Sequence, residues 1–112
     1  MFVSLFDTIG GGGGGNNQAP VADAGEDQTA SPGTPVYLDG SVSSDADGTT
    51  ISYAWAQISG KSVRLSNADS AVASFRAPRI KRNTTAAFVF ELTVTDNRGA
   101  TASSQVTVYV TR

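Results

Sequence analysis

From residue 19 onward, the chain consists of short runs in which apolar and polar residues alternate, with turn residues between the runs. Side chains along a β-strand point alternately to opposite faces, so a period of two is typical of a half-buried strand. No window shows the 3.6-residue period of an amphipathic helix. Short strands at regular spacing between turn signals indicate a sandwich or barrel. The pattern therefore predicts an all-β fold.

Seven strands can be placed on this pattern, and the third contains the single tryptophan, Trp55. The predicted strands cover 20–24 with a continuation at 28–30, then 36–38, 50–58, 63–65, 71–76, 87–95 and 102–110. This arrangement is typical of a seven-stranded immunoglobulin-like β-sandwich, with Trp55 between the sheets against Leu92, Val94 and Val106. Because the chain has no cysteine, packing alone must hold the core. Each large buried side chain contributes roughly 1.5–3 kcal/mol.

Composition excludes several classes of function. The 112 residues include no His and no Cys, and the net charge is −2. A thiol nucleophile, a thiolate zinc site and the commonest general base are therefore absent, so we do not expect an enzyme. The acidic balance argues against a nucleic-acid partner, and no apolar run is long enough to span a membrane. Hard-cation sites built from oxygen ligands remain open.

The chain divides into two parts of different composition. Residues 1–18 contain an apolar stretch, Met1–Ile9, followed by six glycines, Gly10–Gly15, and amide side chains. A glycine run of this kind is typical of a flexible linker. We predict a flexible leader over 1–18 and one folded domain over 19–112.

Five segments of the folded part resemble the sequence of PKD domains, in particular the bacterial extracellular type. They read APVADAGEDQ at 19–28, LDGSVSSDADG at 38–48, ISYAW at 51–55, ASFRAP at 73–78 and LTVTDNRGA at 92–100. The resemblance runs from about Ala19 to Val110 with its spacing intact. It implies an immunoglobulin-like β-sandwich, in agreement with the alternation pattern.

The resemblance also implies what the domain does. PKD domains are extracellular, non-catalytic modules of secreted hydrolases and cell-surface adhesins, and some bind calcium. We therefore expect a spacer or interaction module of a larger secreted or cell-surface protein, with the neighbouring domains as its partners. The alternative is an accessory module of a secreted hydrolase that binds a polysaccharide or an extracellular protein substrate.

Acidic residues are expected to gather at one end of the sandwich. The predicted strand directions bring Asp23, Asp45, Asp47 and Asp96 to the same end, from three loops. Calcium binds six to eight oxygen ligands supplied flexibly by carboxylates and carbonyls, so these four are the candidate ligands. The alternative is that each aspartate caps its own turn by accepting backbone N–H bonds. Asp39, at the end of its strand, is expected to have such a turn role, with Gly40 supplying a permissive backbone.

Basic residues are concentrated in one connection, which is expected at the opposite end beside the C-terminus. Arg76, Arg79, Lys81 and Arg82 are four of the eight cationic residues. They form either a solvated loop, a surface for head-to-tail stacking on a neighbouring module, or a contact for an acidic glycan. Complementary charge at such a contact would give orientation and association rate more than affinity.

The exposed aromatic residues bear on carbohydrate binding. Tyr53 shares the inward face of its strand with Trp55, so both are expected in the core. Tyr37 and Tyr109 are expected to point outward from opposite sheets, which leaves Tyr109 as a candidate contact without a second ring beside it. A flat aromatic platform for a crystalline polymer is therefore not expected.

Overall fold

The computed structural model describes residues 18–46 and 51–112, and all of its regular elements are β-strands. They are β1 (Gln28–Ala30), β2 (Pro35–Asp39), β3 (Ser52–Ser59), β4 (Val72–Arg76), β5 (Thr85–Thr95) and β6 (Thr101–Thr111). The predicted leader, apart from Gln18, and the candidate ligand Asp47 lie outside the described residues. No helix long and apolar enough to cross a membrane occurs in the described ranges.

The strands form a four-stranded sheet in the order β1-β6-β5-β3 and a two-stranded sheet of β2 and β4. All pairs are antiparallel except β1 with β6, which is parallel. The β5–β6 ladder runs without interruption from Thr85↔Thr111 to Thr95↔Thr101. The predicted all-β immunoglobulin-like sandwich is confirmed, with six strands in place of seven.

The predicted first strand, 20–24, is reduced to an isolated bridge between Val21 and Ser44. Serine hydroxyl groups accept hydrogen bonds from the backbone N–H groups of Asp23 and Ala24, beyond this bridge. Asp23 N donates to Ser43 Oγ at 2.9 Å, and Ala24 N donates to Ser104 Oγ at 3.0 Å. Because hydroxyl groups satisfy these N–H groups, they are not available for a regular ladder.

The predicted strand at 63–65 is absent for a similar reason. Val63 N donates to Gln57 Oε1 at 3.0 Å. This N–H group is therefore not available to a neighbouring strand. The nearest ladder contact is the isolated bridge between Ser66 and Ser74. This segment therefore runs along β4 as an irregular strap.

The core lies between the two sheets. Buried residues alternate with more exposed ones along the strands, as the sequence predicts. Phe75 of β4 meets Phe90 of β5 with ring centroids 4.9 Å apart, and Phe88 with centroids 6.3 Å apart. These tilted contacts join the two sheets in a chain that has no cysteine. Trp55 is buried opposite Leu92 and donates from Nε1 to the Ser70 carbonyl at 3.1 Å. The other buried apolar residues are Ala24, Val36, Leu38, Ala73, Ala77, Val94, Val106, Val108 and Val110.

The register defines two opposite ends of the sandwich. The acidic end carries the 41–46 loop, the 96–99 turn and the end of β2 at Asp39. The basic end carries the 31–34 turn, the 77–84 connection and Arg112, because Arg112 N donates to the Thr84 carbonyl at 3.1 Å. The described chain therefore begins at the acidic end, at the Val21–Ser44 bridge, and finishes at the basic end.

Candidate functional site

Asp96, at the acidic end, is buried and caps the turn that joins β5 to β6. Its Oδ1 accepts hydrogen bonds from Arg98 N at 2.8 Å and Ala100 N at 2.9 Å. Gly99 takes the positive φ of 89° that this turn needs, whereas Asn97 does not have a positive φ. The turn therefore depends on glycine at position 99 and on the Asp96 carboxylate.

Asp23 and Asp39 also cap turns. Asp23 Oδ1 accepts from Gly25 N at 2.9 Å, and Asp39 Oδ1 accepts from Ser41 N at 2.9 Å. Hydrogen bonds from the Ser41 hydroxyl and the Ser41 backbone N–H hold the pKa of Asp39 below its ordinary value. The predicted turn role of Asp39 therefore has a direct structural basis.

Gly40, which follows Asp39, has a different role from the one expected. Its φ is not positive, so backbone permissiveness is not what the position requires. A Cβ built there would lie 2.5 Å from Leu92 Cδ2 and 3.0 Å from Trp55 Cζ2. Glycine is needed because the backbone passes directly over the core.

Three of the four candidate calcium ligands lie within the described residues. Asp23, Asp45 and Asp96 belong to the acidic end, and Asp45 is half-buried in the 41–46 loop. Within the described ranges, no group of three or more acidic side chains is arranged to hold a metal ion. Asp47 lies outside those ranges. Calcium binding by these residues therefore stays a prediction, and the observed bonds of Asp23 and Asp96 are those of turn caps.

The predicted basic cluster lies at the basic end. Arg76, Arg79, Lys81 and Arg82 are exposed, and Arg112 joins them because its backbone pairs with the 77–84 connection. Arg112 was missed as a member of the cluster, although its position after the last predicted strand would have placed it there. Five of the eight cations therefore lie at this end.

The backbone beneath these cations is well fixed. Gly33 N donates to the Ala77 carbonyl at 2.7 Å, and Ala77 N donates to the Thr34 carbonyl at 2.8 Å. Asn83, with a positive φ of 61°, donates from its N–H to the Arg112 carbonyl at 3.1 Å. The backbone of the 77–84 connection is therefore held near both of its ends.

An open cavity of about 410 Å³ lies beside β4, between that strand and the irregular 62–66 strap. Its lining residues are Pro35, Ser62, Val63, Arg64, Ser66, Ser74, Phe75, Arg76 and Pro78. Two arginines, Arg64 and Arg76, are among the lining residues, together with three serines. No sequence signal pointed to Arg64, because it lies 12 residues from Arg76 and only the bridge at Ser66–Ser74 brings the two segments together.

The two exposed tyrosines lie on different sheets. Tyr37 belongs to β2, with 59% of its surface exposed, and Tyr109 belongs to β6, with 40% exposed. Tyr53 is half-buried and packs against the core. The tyrosines therefore form no common platform, as the strand assignments predicted.

Comparison with known proteins identifies the fold and the family. The model of the "K319L-like, PKD domain" family matches residues 24–110. The chain is 40% identical over 96 residues to the rat (Rattus norvegicus) "Dyslexia-associated protein KIAA0319 homolog", a match that covers 84% of this chain and 8% of the rat protein. It is also 40% identical over 96 residues to the mouse (Mus musculus) "Dyslexia-associated protein KIAA0319-like protein", with 84% and 9% covered. The chain thus spans less than a tenth of these relatives.

Two solved structures share the architecture. The solution structure of the PKD domain from KIAA 1837 protein has a TM-score of 0.66 and 38% identity, over 90% of this chain and 92% of that one. A nucleoside hydrolase-related hypothetical protein from Saccharophagus degradans has a TM-score of 0.71 and 30% identity, over 84% of this chain and 26% of that one. The chain therefore belongs to the K319L-like PKD domain family, and the extracellular or cell-surface location that the resemblance implied follows from this membership.

Proposed function

We propose that this domain is a non-catalytic module that separates and orients its neighbours within a larger extracellular protein. The path of the chain carries the proposal. The described chain starts at the acidic end, where Val21 pairs with Ser44, and finishes at the basic end, where Arg112 pairs with Thr84. Neighbours attached before and after the domain would lie at its two opposite ends.

The dimensions of the sheet suit such a role. β5 and β6 each contain 11 residues and are paired along their full length. A strand of that length spans roughly 35 Å. Paired strands under a packed core resist bending, so the domain would keep its neighbours at a fixed distance. The small share of the relatives that this chain covers also supports a modular role.

Single-molecule fluorescence transfer tests the spacer. A donor and an acceptor fluorescent protein are fused to the two ends of the full chain, and a Gly/Ser linker of equal residue number serves as the control. In the linker control we expect some molecules to have donor and acceptor close together, since a flexible chain samples short separations freely. The folded chain should show no such molecules. Coinciding distance distributions for the chain and the linker would contradict the proposal.

Accessory substrate binding is the second candidate function. It is favoured by the similarity to the Saccharophagus degradans protein, which is described as associated with carbohydrate metabolism. Pull-down on chitin, cellulose and collagen separates the two functions. An accessory module of this kind would be depleted from solution by one of these polymers, whereas a spacer would remain in the supernatant.

Calcium stiffening is the least supported part of the predicted function. Turn-capping explains the observed bonds of Asp23 and Asp96, and the fourth candidate ligand, Asp47, has no described geometry. The spacer role does not depend on calcium, because the β5–β6 ladder already provides a rigid element.

A further inference from the structure

The cavity beside β4 combines three kinds of surface that together suit a charged sugar. The lining residues include the basic Arg64 and Arg76, the hydroxyl-bearing Ser62 and Ser74, and the apolar Pro35. The volume of about 410 Å³ is within the range of small-molecule sites. None of its lining residues is acidic.

The two arginines differ in how they are held. Arg76 donates from Nη1 to the Gly33 carbonyl, so its guanidinium is held toward the basic end. Arg64 is exposed and forms no ion pair or hydrogen bond with the described residues. Two arginines among the lining residues, with no acidic residue there, give the cavity a positive charge for which an anionic ligand is the natural partner.

We propose that this cavity binds one acidic residue of an extracellular polysaccharide. The anionic group, a carboxylate or a sulfate, would accept hydrogen bonds from Arg64 and Arg76. Hydroxyl groups of the sugar would bond with Ser62 and Ser74, and the C–H face of the ring would rest on Pro35. No aromatic platform is required, because charge and hydroxyl contacts supply the recognition.

The surface next to the cavity extends the site along a chain of sugars. Gly33, whose carbonyl holds Arg76, also lines a second depression together with Pro32, Arg79 and Arg112. Cations therefore continue from the cavity onto the basic end. A polymer with repeated negative charges would contact both depressions, and linked contacts raise the apparent affinity above that of a single unit.

The acidic end of another module is a weaker match for this surface. Recognition by Arg64 and Arg76 takes place in a concave site lined with hydroxyl groups, which suits a sugar residue better than the end of a folded domain. Moreover, Asp23 and Asp96 each commit one carboxylate oxygen to backbone N–H groups of their own turns. The geometry therefore favours a polysaccharide over head-to-tail stacking.

Binding to three immobilised polymers tests the proposal with the full chain. Polygalacturonate presents carboxylates, heparin presents sulfates as well, and dextran is the neutral control. We expect binding to at least one polyanion, no binding to dextran, and weaker binding as salt is raised to about 0.15 M. Arg64→Gln should raise the Kd about tenfold, because one charge-assisted contact is lost. Preference for either polyanion identifies the anionic group.

Arg98→Gln is the matched control, since it removes the same charge at the acidic end. Three results would overturn the proposal. They are failure to bind either polyanion at low salt, equal weakening by Arg64→Gln and Arg98→Gln, and salt-sensitive self-association that Arg64→Gln abolishes. The last result would point to stacking between modules. Circular dichroism checks that each variant folds. The spacer measurement is independent, because the fluorescence experiment contains no polysaccharide.

Discussion

The Cα of Gly40 lies so close to Leu92 that a Cβ atom at Gly40 would be 2.5 Å from Leu92 Cδ2. Gly40 sits just after β2, and Gly40 N donates to the Ala71 carbonyl at 2.7 Å, which fixes the backbone over the core. The end of the two-stranded sheet is thus packed directly on the four-stranded sheet.

Gly40→Ala is expected to lower the free energy of unfolding by about 1–3 kcal/mol, since overpacking forces side chains or backbone to shift. In a domain of this size, each kcal/mol lowers Tm by roughly 4–8 °C. Thermal unfolding followed by circular dichroism measures the effect.

The matched experiment adds Leu92→Val to the same chain. Because valine lacks the atom nearest to the new Cβ, the double variant should lose less stability than the sum of the two single changes. Strict additivity of the two changes would show that the contact between Gly40 and Leu92 is not the cause.

Removal of the Asp96 side chain is expected to destabilise the β5–β6 turn. Asp96→Ala leaves two N–H groups, of Arg98 and Ala100, without their acceptor, which costs about 1–3 kcal/mol. Asp96→Asn retains an Oδ1 acceptor and should cost less. Urea unfolding gives both values, and Asp23→Ala, which removes a single exposed cap, is the control. Similar losses for the two Asp96 variants would assign the effect to charge instead of hydrogen bonding.

The two interpretations of the aspartates at the acidic end predict different effects of calcium, because turn-capping alone, which accounts for the observed bonds of Asp23 and Asp96, predicts an unchanged unfolding midpoint. The midpoint is compared in excess calcium and in chelator. An ion that binds only the folded state at a hundredfold excess over its Kd adds about 2.7 kcal/mol. That corresponds to a rise on the order of 10 °C or more. Such a rise, abolished by Asp45→Asn, would establish the predicted calcium site instead.

Asp39 should make the stability of the domain depend on pH in the acid range. Its pKa is lowered in the folded state, so the folded chain binds this proton less readily than the unfolded chain does. The stabilisation is present above the ordinary value of 3.8 and is lost as pH falls through the lowered folded pKa.

Urea unfolding at a series of acid pH values measures this contribution. The chain with Asp39→Asn should show a smaller loss of stability below pH 3.8 than the unchanged chain. Ser41→Ala, which removes the hydroxyl donor but keeps the N–H, should give an intermediate result. Identical pH profiles for all three chains would show that the Ser41 bonds do not stabilise the carboxylate.

Much of the fold could be predicted from local pattern. Alternation placed β2, β5 and β6 to within two residues at each end, because the period of two depends only on which face of a strand is buried. It also placed Trp55 in the core and the two exposed tyrosines on opposite sheets. The capping aspartates were recognisable, since a side chain that bonds an N–H two residues ahead is a local motif.

Contacts between residues distant in sequence determined features that the local pattern did not predict. The predicted strand at 20–24 is missing because Ser43 and Ser104, which lie 20 and 80 residues away from their partners, accept its backbone N–H bonds. The need for glycine at position 40 arises from Leu92 and Trp55, which local sequence does not reveal.

The sequence by itself determined the all-β class, the family resemblance and the concentration of cations near residue 80. Only the tertiary structure decided that Arg64 joins Arg76 as a lining residue of one cavity. The physical reason is that alternation and turn propensity are properties of neighbouring residues. Side chains from separate segments converge only once the ladders and the core have fixed where each segment lies.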